Sequence, residues 1–243
     1  MVSKSQLKYI QSLGQKKYRD EAGVFVAEGP KLVKELAQSK NVELVQIFAL
    51  NEWIEENGDL FTSITVTATT ETELERISQL KTPNKVLAVV KKFEANEPVT
   101  KEGISLVLDT IQDPGNLGTI IRIADWFGIS HIICSEDCAD IYNSKVVQAT
   151  MGSIARVNVF YTDLPVWLRN PPGVRIYAAM LEGKDVTKMT TIKDGLIIIG
   201  NESLGIDNEL LQYANEKISI PRKGSAESLN AAVAAGIILS HLV

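Results

Sequence analysis

The sequence is poor in cysteine. Cys134 and Cys138 are its two thiols, spaced CxxxC with no second pair. That is too few for the disulfide framework of a small secreted domain, so they read as buried free thiols in a reducing compartment. Histidine is as scarce: His131 and His241 lie far apart and no HExxH occurs, so no metal centre is expected. Long apolar runs are missing. No stretch reaches the roughly 20 residues needed to span a bilayer. The opening MVSKSQLKYI lacks the apolar core of a signal peptide. A cytoplasmic protein without a membrane partner is therefore expected. There is no excess of positive charge either: 25 Lys and Arg stand against 30 Asp and Glu, a net charge of −5. This counts against a uniformly basic nucleic-acid binder but leaves room for local basic patches. Neither GxGxxG after a strand nor a P-loop appears, which removes the signatures of a nicotinamide-dependent oxidoreductase and of an NTPase. Internal repeats and low-complexity segments are absent.

What is present is an ordinary globular composition, 45% hydrophobic and 23% charged over 243 residues. That is enough chain to bury a core without staples. The polar stretch FEANEPVTKEGIS, residues 93–105, has no hydrophobic period and contains Pro98 and Gly103. It divides the chain into an N-terminal domain over 1–95, a linker over 96–103 and a C-terminal domain over 104–243. In the first, Leu7, Ile10 and Leu13 have helical spacing, and Pro30 opens a helix running to Gln38. Thr70 and Glu73 form a capping box before another helix. Strands are expected at 24–27, 44–50 and 86–90. Two basic stretches stand out, one with Lys4, Lys8, Lys16, Lys17 and Arg19, the other with Lys81, Lys85, Lys91 and Lys92. The bland reading of both is a solvated face.

The second half alternates strands and helices. ISLVLD (104–109), ISHIIC (129–134), IARVNVF (154–160), VRIYAAM (174–180), GLIIIG (195–200) and KISI (217–220) read as strands. Near-continuous apolar strands separated by helices imply an α/β fold with a mostly parallel sheet covered on both faces. Ligands then bind beyond the carboxyl ends of the strands. Three motifs lie at such ends. DPGNLGTIIRIADWFG (113–128) offers a Pro114–Gly115 turn, Asn116 as a helix cap and Arg122 within the helix. IIIGNESLGID (197–207) places Glu202 between two glycines, which let backbone approach a ligand closely. ISIPRKGSAESLNAAVAAG (218–236) runs from a strand through a polar loop to Ser228 and Asn230, ahead of an alanine-rich helix beginning near Leu229. Taken singly, each can be a plain strand-to-helix connection.

Together and in this order they resemble the SpoU (TrmH-type) branch of the SPOUT RNA ribose methyltransferases. The family's Asn-x-Gly turn with an arginine four residues beyond is matched by Asn116, Gly118 and Arg122. Its Gly-x-Glu-x-x-Gly loop is matched by Gly200, Glu202 and Gly205. Its Ile-Pro loop leading to Ser-Leu-Asn is matched by Ile220, Pro221, Ser228, Leu229 and Asn230. CADIYNSKVVQATMGSIARV (138–157) also looks like the family's middle segment. Ala231-Ala232 stands where Val-Ser is common. The first ninety or so residues are similar in pattern to the substrate-binding domain many members carry, which resembles a small ribosomal protein.

The resemblance implies a trefoil-knotted SPOUT domain with a smaller N-terminal α/β RNA-binding domain. It implies a homodimer through the knot domain and S-adenosylmethionine as cofactor, held without a metal. The implied reaction is methylation of a ribose 2′-hydroxyl in structured RNA, with rRNA favoured over tRNA. The implied cofactor residues are Met180, Leu181, Gly183, Gly200, Asn201, Gly205, Ile220, Pro221, Ser228 and Leu229. The implied catalytic set is Arg122 with Asn116, Glu202, Ser228 and Asn230. Arg122 is a poor general base, since its pKa lies above about 12; it acts either as the proposed activator or by binding a phosphate and stabilising a developing alkoxide. The competing non-enzyme reading is an RNA-binding or ribosome-assembly factor without catalysis, which would not need these five residues together.

Overall fold

A computed structural model describes residues 2–62, 64–94, 96–98, 102–169 and 173–243. The linker expected at 96–103 therefore lies partly outside the described residues. In chain order the elements are α1 (Lys4–Ser12), α2 (Lys16–Ala22), β1 (Val24–Glu28), α3 (Pro30–Gln38), β2 (Leu44–Leu50), α4 (Asn51–Asn57), β3 (Thr65–Thr69), α5 (Glu71–Ile77) and β4 (Val86–Lys91). Then come β5 (Ile104–Leu108), α6 (Pro114–Trp126), β6 (His131–Ser135), α7 (Ser144–Thr150), β7 (Asn158–Thr162), α8 (Leu164–Leu168), β8 (Ile176–Asp185), β9 (Gly195–Ile199), α9 (Asn208–Leu211), β10 (Glu216–Ser219) and α10 (Ala231–Leu242). They form two compact units. Met1–Glu94 with Tyr142–Ala155 makes the first, and Ala95–Ile141 with Arg156–Val243 makes the second.

The first unit is built on a four-stranded sheet of order β1-β4-β2-β3, in which β2 and β3 run parallel and the other pairs antiparallel. Apolar residues of α1, α5 and the strands meet in one core that includes Ile10, Leu13, Phe48, Leu74, Ile77 and Leu87. Ser3 and Thr70 each close a capping box, which satisfies the first amides of α1 and α5. The helix α7, though late in sequence, packs on β1. There Gln148 Nε2 donates to the Glu28 carbonyl at 2.8 Å.

The second unit holds a six-stranded sheet of order β10-β8-β9-β5-β6-β7, and every neighbouring pair is parallel. Four of its strands are close to the spans expected, and the one expected at 174–180 runs on to Asp185. The sixth, IARVNVF, begins instead with a short 3-10 turn, Ser153–Ala155, and only Asn158–Thr162 pairs with β6. Because all strands point the same way, the loops after β5, β9 and β10 open at one edge of the sheet. The core beneath includes Val107, Ile133, Leu168, Ile176, Leu196, Ile198 and Leu210. No described helix is long and apolar enough to cross a membrane.

Candidate active site

The loop between β5 and α6 is fixed from several sides. Thr110, with φ +56°, turns the chain out of the strand. Its N–H donates to Ser135 Oγ at 2.9 Å, and the Ile111 N–H donates to Cys138 Sγ at 3.2 Å. The helix α6 then starts earlier than the sequence suggests. Asp113, not Asn116, is its N-cap, accepting the Asn116 N–H at 2.8 Å, and Pro114 and Gly115 lie within the first turn. An aspartate before a proline suits a helix start, because the proline needs no N–H partner there. This shift frees the Asn116 side chain for other work.

That side chain bridges the other two motifs. Asn116 Nδ2 donates to Glu202 Oε1. Asn116 Oδ1 accepts from Asn230 Nδ2 at 2.7 Å. Glu202 Oε1 also accepts the Ala231 N–H at 3.3 Å. Asn230 caps α10 through Oδ1, accepting the Ala232 and Val233 amides at 3.0 and 3.2 Å. One carboxylate and two amide side chains from three distant segments thus form a continuous network.

The glycine loop after β9 is shaped by close backbone packing. Asn201 and Gly205 pair across it, with N–H to carbonyl distances of 3.0 and 2.9 Å. A Cβ on Gly200 would lie 2.3 Å from the Gly205 carbonyl oxygen, so only glycine fits. Asn201 Nδ2 reaches the Thr110 carbonyl at 2.9 Å, and its Oδ1 accepts the Ser203 and Leu204 amides. Asp109 was not singled out in the sequence, where it reads as the last residue of a strand. It is buried at the end of β5, and its Oδ2 accepts the Asp207 N–H at 2.7 Å, pinning the far side of this loop. An acid closing an apolar strand was the available signal.

The segment Met180–Gly183, expected as a loop, lies within β8 and bulges where that strand pairs with β10. Between the consecutive β10 residues Lys217 and Ile218, the partner on β8 jumps from Ala178 to Lys184. A Cβ on Gly183 would meet the Lys217 carbonyl oxygen at 2.6 Å. The Gly183 carbonyl accepts Ser219 Oγ at 2.9 Å. Leu181, Leu204 and Leu229, one from each segment, are 71%, 80% and 45% exposed. Large apolar side chains so exposed at a sheet's ligand edge suit an apolar ring, while the surrounding backbone groups suit a polar nucleoside. The residues present therefore fit an adenosine-bearing cofactor. Ile220 is half-buried and Pro221 exposed on the loop leaving β10.

Two expected site residues stay outside the network. Ser228 is exposed, and neither it nor Arg122 makes a hydrogen bond or ion pair among the described residues. Arg122 is exposed on α6, about a third of a turn around the axis from Asn116. It shares a helix face with Trp126, which is 85% exposed. The next turn of α6 is fixed by Arg156, whose Nε and Nη2 bind the Asp125 carboxylate at 2.9 and 2.7 Å.

A model of the SpoU rRNA Methylase family matches residues 103–240. The chain belongs to that family. Residues 4–88 of this SpoU protein match the MRM3-like substrate binding domain. The 23S rRNA (guanosine(2553)-2′-O)-methyltransferase RlmP of Bacillus subtilis is 31% identical over 230 residues, 93% of this chain and 91% of that protein. A putative TrmH-family RNA methyltransferase from Porphyromonas gingivalis superposes with a TM-score of 0.87 at 33% identity, covering 99% of this chain and 98% of that one. An AdoMet-bound rRNA methyltransferase from Sinorhizobium meliloti gives 0.87 at 30% identity, over 99% and 95%. The SpoU protein is thus an RNA ribose 2′-O-methyltransferase that uses S-adenosylmethionine.

Proposed function

We propose that this protein methylates a ribose 2′-hydroxyl of large-subunit ribosomal RNA, with residues 1–95 gripping the RNA and 104–243 carrying the chemistry. The observation that supports it most is the Asn116–Glu202–Asn230 network, which joins the first turn of α6, the loop after β9 and the start of α10 at one end of the sheet. When bound, the cofactor supplies an electrophilic methyl group. The segments Met180–Gly183, Gly200–Gly205 and Ile220–Leu229 hold it, mainly through backbone groups and the exposed leucines. Glu202 fixes Asn116 and the start of α10, so that these two segments are held to the loop after β9.

Arg122 acts on the nucleophile. A 2′-hydroxyl is a weak nucleophile whose oxygen gains negative charge as it attacks. A guanidinium cannot give up its proton near neutral pH, so Arg122 stabilises that charge and orients the adjacent phosphate instead of serving as a base. Its lack of any partner among the described residues leaves its donors for RNA. Ser228 supplies a hydroxyl at the mouth of the same site.

The working protein is a homodimer in the cytoplasm. Trp126 and Val233, 85% and 51% exposed, lie on α6 and α10, two helices that pack together and leave apolar surface uncovered. A second copy seated there would bring Arg122, on the face of Trp126, to the subunit boundary. Mapping 2′-O-methyl positions in total RNA from cells with and without the protein tests the assignment. One lost mark in 23S rRNA supports it; loss only in tRNA would redirect it, and no lost mark would contradict it.

A further inference from the structure

Four of the nine basic residues that stand out in the first unit's sequence have an acidic partner in the fold. Lys16 pairs with Asp20 at 2.9 Å, Lys17 with Glu21 at 3.9 Å and Lys91 with Glu43 at 3.0 Å. Lys92 binds Asp20 and lies 4.8 Å over the Tyr142 ring. Arg19 is buried and donates through Nη1 to the Leu13 and Gly14 carbonyls at 2.9 and 3.0 Å. Lys4 and Lys8 have no acidic partner among the described residues. The Val2 N–H, just before α1, donates to Glu73 Oε1 at 3.0 Å, in the acidic first turn of α5.

The loop SQLKTPNK, Ser78–Lys85, is different. It contains no acidic residue, and Lys81 and Lys85 are exposed with no ion pair among the described residues. The loop is nevertheless held firmly. The buried Glu28 carboxylate, at the end of β1, accepts Ser78 Oγ on one oxygen and the Gln79 N–H at 2.8 Å on the other. The Lys85 carbonyl accepts the Leu50 N–H at 2.9 Å. The Gly29 N–H donates to Val86 O at 2.8 Å, so α3 starts at the same sheet end, where Lys31 is also exposed and unpaired among the described residues. Lys85 has φ +54°, a left-handed conformation that glycine or asparagine would take with less strain. A long cation held in that conformation on a rigid turn is a feature that stability does not explain. On the neighbouring β2 side, α4 brings Glu52, Glu55 and Glu56, all exposed, and marks where a polyanion would be repelled.

We propose that the Ser78–Lys85 loop, with Lys31 beside it, is the surface by which the first unit grips the phosphodiester backbone of RNA, and that the paired lysines of α2 and β4 are not. This rests on the reading that the protein acts on RNA. The test uses the full-length protein and 23S rRNA transcribed in vitro, with Kd measured over a potassium chloride series. The Lys31→Ala/Lys81→Ala/Lys85→Ala variant should bind about tenfold or more weakly, and its salt slope should fall by about 2 to 3, close to one per lost phosphate contact. Lys16→Ala/Lys17→Ala/Lys91→Ala should stay within about twofold of the parent, since those charges are already paired. Lys85→Gly should weaken RNA binding while keeping the melting temperature at or above that of the parent; a merely structural lysine would give the opposite pattern. If the parent binds the transcript and the loop variant binds equally well, or the control variant loses as much, the loop assignment is wrong. If the parent neither binds nor methylates the transcript while still taking up cofactor, the rRNA reading falls instead, and this assignment falls with it.

Discussion

Asn116 Nδ2 donates to Glu202 Oε1, tying the first turn of α6 to the loop after β9. Since Asn116 Oδ1 also accepts from Asn230, the amide is used at both ends, and its orientation is set by its neighbours. The network places one carboxylate where the amide and the first backbone N–H of α10 converge. Breaking it at different points has different consequences.

Removing the carboxylate should cost both stability and cofactor affinity. Glu202→Ala leaves the Asn116 amide and the Ala231 N–H without their acceptor, a loss of about 1–3 kcal/mol for a part-buried group. Glu202→Gln keeps an oxygen in the same place, so most of the stability should return. Thermal melts of the two variants with and without S-adenosylmethionine read this directly. Equal melting temperatures for the alanine variant and the parent would show that the contact does not hold the loops together.

The glycine loop should not tolerate even one methyl group. In Gly200→Ala the new Cβ would lie 2.3 Å from the Gly205 carbonyl, so the Asn201–Gly205 pairing must open. Overpacking of this kind typically costs about 1–3 kcal/mol. Calorimetry should show cofactor binding weakened by about tenfold or more, matching about 1.4 kcal/mol of lost affinity. Unchanged affinity would separate this loop from the cofactor site.

Glu28 makes the first unit sensitive to pH. Burial raises its carboxyl above the usual value, while the hydrogen bonds from Ser78 and Gln79 pull it back part of the way. Between the ordinary carboxyl value of 4.5 and the raised one, folded Glu28 keeps a proton that the unfolded chain has lost. Its contribution to stability is therefore present at low pH and lost as pH rises through the folded pKa. Glu28→Gln should flatten the part of the stability–pH curve that lies just above the ordinary carboxyl value of 4.5. Urea melts across that range provide the check, and an unchanged slope would exclude Glu28 as its source.

Much of the fold was legible in the sequence, for reasons that differ by element. The β2 span and the α5 capping box follow directly from the short apolar run LVQIFAL and from Thr70 and Glu73. Helices such as α2 and α4, with seven residues each, are too short to show a 3.6-residue period. Nothing in the local pattern marks α7 as packing on β1, because that contact is purely tertiary. In the site, the three motifs were visible as loops at strand ends, but their mutual hydrogen bonds were not. The start of α6 was misplaced because Asn116 and Asp113 are both good caps, and Pro114 decides between them. Asp109 was overlooked because a single acid at a strand end has no partner until the fold supplies the Asp207 amide.

In the proposed mechanism, transfer depends on the Arg122 guanidinium, which no described residue engages. Among the described residues it has no hydrogen bond or ion pair, so Arg122→Ala should leave folding and cofactor affinity near those of the parent. Loss of one electrostatic donor acting mainly in the transition state typically slows the chemical step about 100- to 1000-fold. Arg122→Lys should also be slow, because an ammonium cannot reproduce the planar fork. The direct measurement is single-turnover methylation of 23S rRNA at saturating cofactor, with circular dichroism and cofactor titration on the same samples. The expected result for Arg122→Ala is an intact fold, unchanged cofactor binding and a rate reduced by at least about 100-fold; near-parental turnover would remove Arg122 from the mechanism.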